Sequence, residues 1–168
     1  MSELPSTQLL YVYTDKLSVT GTYTRERGRL YNYVAGKLFK NILYAARNWG
    51  NGPASVTIRY GHVKKFDHEG SSRPYLMNKI GREVSPFLMQ QIEKLEWVDA
   101  RKYKESDAAD LLAGILHVAI TPDRYGNVEG AYLKQVWNLV RQSELCGTGN
   151  RYCSIPLGFM PMPEYQNV

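Results

Sequence analysis

The sequence predicts an α/β fold in which helices flank a mixed sheet, and three observations support it. Stretches of strand length at 8–14, 55–62 and 95–98 take turns along the chain with stretches of helical periodicity at 30–48 and 107–120. Firm stop signals separate them: Trp49-Gly50-Asn51-Gly52-Pro53 closes the first helical stretch and Pro122 the later one. Strands that alternate with helices belong to layered architectures with parallel or mixed pairing. The 168 residues contain no internal repeat and no low-complexity linker, so they read as one domain, 1–168, large enough to bury a core.

Gln8-Leu9-Leu10-Tyr11-Val12-Tyr13-Thr14 is a continuous apolar and aromatic run ending at Asp15-Lys16, the pattern of a strand covered on both faces. From Leu30 to Asn48, Tyr31, Val34, Ala35, Leu38, Ile42, Ala45 and Ala46 recur at helical spacing. Ser55 to His62 alternates, Val56, Ile58 and Tyr60 against Thr57 and Arg59, as a half-buried strand does. Lys64 to Arg73 is polar and reads as a loop, and Tyr75 to Gln91 as short helices interrupted at Ser85-Pro86. Leu95 to Val98 is a third strand, followed by the basic loop Arg101-Lys102-Tyr103-Lys104. Helices over Asp107–Ile120 and roughly Glu129–Gln142 come next, and residues 156–168 form an irregular, proline-containing tail.

Composition narrows the function classes. The net charge of +5 favours polyanionic partners by non-specific attraction. Thirteen tyrosines suit half-buried strands and interfaces, where the ring packs and the hydroxyl finds a partner. Cys146 and Cys153 have no second pair or histidine cluster beside them, which argues against zinc and for two free thiols in a reducing cytoplasm. No basic-then-apolar leader pattern and no apolar run of membrane-spanning length is present, so a cytoplasmic protein without membrane contact is expected. Nucleophilic hydrolysis lacks a G-x-S-x-G motif.

The stretch Glu105-Ser106-Asp107-Ala108-Ala109-Asp110 opens the helix at 107–120. Ser106 suits the N-cap, and Asp107 in the first turn complements the helix dipole. Asp110 lies a turn further in, three residues from Asp107, so the two carboxylates share a face that continues through Ala113, Gly114 and His117. Such a stripe is either a solvated polar face, with Gly114 permitting close packing, or one side of a ligand site.

The run from Trp97 to Ile115 resembles the closing strand and helix of the domain-of-unknown-function 3800 family, whose helix carries an Ala-Asp-Leu-(Leu/Ile)-Ala-Gly core, here Ala109 to Gly114. The segment P-D-R-Y-G-N-V-E-G-A-Y-L is similar to the stretch after that helix in many members, and Y-T-D-K with L-Y-N-Y-V-A-G-K-L-F to the family's central strand and crossover helix. Leu9 to Ile155 can be laid on the family's C-terminal portion. The resemblance implies a truncated RNase H-like fold, because the family's opening Asp-Glu-Ser-Gly strand has no counterpart in the chain. It also implies a carboxylate cluster for Mg²⁺ or Mn²⁺. Asp110 matches the acid of the final helix, and Asp15 stands at a strand end where RNase H-like enzymes place another. Asp107 occupies a position usually held by glutamine.

Two functions are compatible with these residues. A nuclease half, with Asp110, Asp15 and Asp107 as its catalytic acids and Asp110 and Asp15 as metal ligands, would need a partner chain or a second copy to complete the cluster. Two divalent ions about 4 Å apart would then activate water and stabilise the leaving oxygen. Alternatively, a non-catalytic module would bind nucleic acid or protein, as a subunit of a nucleoprotein complex or a small phage- or defence-related factor. Its contacts would be Lys64, Lys65, Arg101, Lys102 and Lys104, together with Arg25 to Arg29, where basic residues interleave with aromatics able to stack on bases.

Overall fold

The computed structural model describes residues 9–13, 27–47 and 54–140. The chain divides into two compact units, Val12–Val98 and a second formed by Asp99–Val168 with Met1–Tyr11. Helices flank a two-stranded parallel sheet, so the fold class is the α/β one expected. Asp15, Cys146, Cys153 and the 156–168 tail lie outside the described residues.

In the Val12–Val98 unit, helix α1 spans Arg27–Arg47 and strand β1 spans Val56–Gly61. Two wide-turned π-helical segments, His68–Ser72 and Tyr75–Ile80, and a 3-10 turn at Gly81–Glu83 lead to helix α2, Pro86–Gln90. Strand β2, Ile92–Val98, then lies parallel to β1, with Ile58 opposite Leu95, Tyr60 opposite Trp97 and an irregularity after Val56. A parallel pair needs a long crossover, and residues 62–91 provide it. The polar stretch 64–73, expected to be loop throughout, is a turn followed by the first π-helical segment. Asp67 accepts the Gly70 N–H at 2.7 Å and so caps it. The break at Ser85-Pro86 is where expected: the Ser85 hydroxyl accepts the Leu88 N–H and proline takes the first turn of α2.

The core of this unit gathers Ala35, Phe39 and Leu43 of α1, Ile58 and Tyr60 of β1, Leu95 of β2, and Leu76, Ile80, Val84 and Leu88 from the crossover. Phe39 and Leu43 are fully buried. Alternation in β1 is as read from the sequence, with Ile58 and Tyr60 inside and Thr57 and Arg59 exposed. The Tyr60 hydroxyl donates to the Ala35 carbonyl at 3.1 Å, tying strand to helix, and burial pushes its pKa up. Outside, Glu96 pairs with Lys94 two residues away on β2 and with Arg59 across the sheet, which holds its carboxyl below the ordinary range.

Helix α1 approaches the second π-helical segment closely at Gly36, where a Cβ would sit 3.0 Å from the Tyr75 ring and 3.1 Å from Ile80. Gly36→Val is expected to cost about 1–3 kcal/mol by overpacking, read as a lower urea midpoint.

In the other unit, a 3-10 turn at Ala100–Lys102 is capped by the Asp99 side chain and leads into helix α3, Lys104–Ile120. The expected N-cap at Ser106 is corrected: the turn launches the helix at Lys104, and Tyr103 precedes it without a side-chain cap. Glu105 and Asp107 therefore both lie in the first turn, where their charge suits the dipole. Helix α4 is also shorter than expected, Ala131–Val136, and tightens into a 3-10 turn at Trp137–Leu139. The apolar run at 8–14 does not form a ladder strand among the described residues. Leu9 makes an isolated parallel bridge to Val140, and the Tyr11 hydroxyl donates to the Leu112 carbonyl at 3.1 Å. Leu9, Tyr11, Leu116, Ala119, Leu133, Trp137 and Val140 are buried in this unit. No helix among the described residues is long and apolar enough to cross a membrane.

Candidate nucleic-acid interface

Parallel strands send their loops out at their carboxyl ends, which is where open α/β sheets build ligand sites. Here the His62 N–H extends the ladder by donating to the Val98 carbonyl at 2.8 Å. The chain then turns sharply through Lys64 and Lys65, whose side chains are exposed. Lys65 sits at φ +60°, a left-handed backbone conformation that costs a residue bearing a Cβ. Phe66 closes the turn by donating its N–H to the Val63 carbonyl at 3.3 Å.

His68 holds this turn in place. Its Nε2 accepts the Val63 N–H at 2.9 Å, and its ring stacks on Trp97 with centroids 5.4 Å apart. Phe66 at 5.0 Å, Tyr31 at 5.7 Å and His62 at 4.8 Å meet it edge-on. Trp97 also stacks on Tyr60, and the Arg73 guanidinium lies 5.2 Å from its ring centre. Arg73 is anchored by donating to the Leu95 carbonyl at 2.9 Å and by a two-pronged pair with Glu69, which lowers that carboxyl's pKa.

The amino-terminal turn of α1 packs on the same cluster. A Cβ at Gly28 would come within 2.8 Å of the Phe66 ring, so glycine is what lets the helix seat there. Tyr31 meets Phe66 at 5.0 Å, and Asn32 is locked by Ser71 at 3.0 Å and Ser72 at 2.8 Å. Among the described residues no acid lies in the first turn of α1, and Arg29 there is exposed. Among the described residues the nearby acids Asp67 and Glu69 are both engaged, Asp67 as a cap and Glu69 with Arg73. Exposed Lys64, Lys65 and His62 lie on the turn that this aromatic cluster holds, and exposed Arg29 follows Gly28 on α1, a chemistry suited to phosphates and stacked bases.

His68 is buried, and that burial pushes its pKa below the ordinary histidine value despite the nearby Asp67 and Glu69. With the folded value depressed, the unfolded chain binds the proton first. The stability held by the neutral ring is present above about pH 6.5 and is lost as pH falls through the lower folded value. Urea midpoints are expected to fall below about pH 6.5 in the parent protein, a component that His68→Gln removes.

Two of the acids suggested by the sequence lie on α3, and Asp15 lies outside the described residues. Asp107 and Asp110 are exposed on α3, as are Ala113, Gly114 and His117. Among the described residues a Cβ at Gly114 would meet nothing within 4 Å. His117 Nδ1 lies 3.1 Å from the Thr121 hydroxyl. Among the described residues no group of three or more His, Cys, Asp or Glu is placed to hold a metal ion. Arg101, Lys102 and Lys104 are exposed on the other unit, and Arg101 pairs with Asp99 at 3.6 Å. Lys64 and Lys65 are the suggested cations that join a built cluster. Sequence reasoning misses His68, Trp97, Tyr31 and Arg73 as site residues; the two histidines flanking a Lys-Lys turn are the signal that could have found them.

Comparison with known proteins adds no relative: no protein-family model, curated protein or solved structure matches the chain.

Proposed function

We propose that this chain is a nucleic-acid-binding module, carried on an RNase H-like scaffold, that does not cleave when alone. The supporting observation is the Tyr31, Phe66, His68 and Trp97 cluster at the strand carboxyl ends, with exposed His62, Lys64 and Lys65 on the turn it holds and exposed Arg29 next to Gly28, which packs on Phe66. The cations would neutralise phosphates, and the aromatic edge would accept a base. Fluorescence anisotropy with short labelled RNA and DNA, single-stranded and duplex, tests it. Binding at low salt that weakens steeply as salt rises is expected, and no binding to any of them at low salt would refute the reading.

A second reading rests on the exposed face shared by Asp107 and Asp110. In a complex these carboxylates, with Asp15, would hold Mg²⁺ or Mn²⁺ alongside acids from another chain, and the cations would activate water for phosphodiester cleavage. If the second chain is another copy, cleavage in Mg²⁺ or Mn²⁺ should rise faster than linearly with protein concentration and vanish in Asp110→Asn. Equal cleavage by Asp110→Asn would end this reading.

A further inference from the structure

A second group of cations in the Val12–Val98 unit lies where α1 meets residues 75–83. On α1, Tyr33, Lys37 and Lys40 recur at helical spacing and share a side. The neighbouring segment brings Tyr75, Lys79 and Arg82, and the close approach at Gly36 places it directly against α1. Lys37 lies 5.2 Å from the Tyr33 ring centre and Lys79 lies 5.1 Å from that of Tyr75, so each helix carries the same lysine-over-tyrosine pair. Lys40 is buried and ion-paired with Glu83. Lys37 and Lys79 lie near enough to help Lys40 hold the Glu83 carboxyl below its ordinary range. Three cations, Lys40, Lys37 and Lys79, therefore gather around Glu83, and exposed Arg82 precedes it in the chain.

We infer that this face is a second nucleic-acid contact, in which Lys37, Lys79 and Arg82 take backbone phosphates and the lysine-covered tyrosines flank the strand. The partner class rests on the nucleic-acid reading above; the location does not. Paired cations on two adjoining helical segments offer a row of phosphate contacts. A row of cations suits the phosphates of a polyanion better than a lipid surface, which also rewards inserted apolar side chains. Glu83 tempers the positive field, so neutralising it should strengthen binding.

Anisotropy titrations of the full chain against one labelled oligonucleotide, over a salt series, test the inference. Lys79→Gln with Arg82→Gln, both exposed positions, should weaken binding several-fold and lower the salt slope by about 2. Glu83→Gln should raise affinity. Unchanged affinity and slope in the Lys79/Arg82 variant, with weakened binding in a Lys64→Gln/Lys65→Gln variant, would overturn this second contact and leave the first standing. Absence of oligonucleotide binding by the parent chain would overturn both. So would binding only to vesicles containing phosphatidylserine.

Discussion

Phe39→Ala is expected to lower the unfolding free energy of the Val12–Val98 unit by about 3–5 kcal/mol. Phe39 has no exposed surface and lies in the cluster with Ala35, Leu43, Ile58 and Leu95, where α1 meets the sheet. Truncation removes a large apolar ring from water-free surroundings and leaves a cavity that the helix and sheet cannot fully close. Urea unfolding followed by far-UV circular dichroism reads the effect. Because α1 also seats Gly28 and Tyr31 against Phe66, the same variant should lose oligonucleotide affinity at urea concentrations the parent tolerates. A change under about 1 kcal/mol would mean that Phe39 does not hold α1 to the sheet.

Lys64→Ala combined with Lys65→Ala is the second large effect. Both side chains are exposed on a turn held by backbone and by His68, so the urea midpoint should stay close to the parent's. Binding should weaken about tenfold or more at low salt, and the slope of log affinity against log salt should fall by about 2. The loss should be nearly the same for every oligonucleotide sequence, because phosphate contacts position the strand without reading it. Strong sequence dependence of the loss would point instead to contacts with base edges.

Much of the scaffold is legible in the sequence because periodicity reports burial. Helix α1 and strand β1 lie within a few residues of their expected bounds, and the Ser85-Pro86 break is where proline chemistry puts it. The buried stripe of α1 is less legible. Phe39 and Leu43, outside the apolar stripe expected for that helix, are its fully buried members, because the helix is covered on more than one side and even Asn32, Lys40 and Asn41 are buried. Periodicity identifies a face only when another face is wet. The start of α3 differs from expectation because the Asp99-capped turn, three-dimensional rather than compositional, launches it early. The acidic stripe is legible as residues and not as a site: Asp107 and Asp110 share exposure on α3, and no third ligand joins them among the described residues. The His68 cluster is illegible for a different reason. Its members come from α1, the β1 turn and β2, and only the parallel register that sets Tyr60 beside Trp97 assembles them.

Photo-crosslinking with a bromouridine-substituted oligonucleotide, mapped by mass spectrometry of the digested chain, tests the central claim most directly. Adducts should fall in residues 27–31 and 62–68, with Tyr31, His62 and Phe66 as the modified side chains. Adducts confined to the other unit, at exposed Tyr125 and Tyr132 for example, would contradict it.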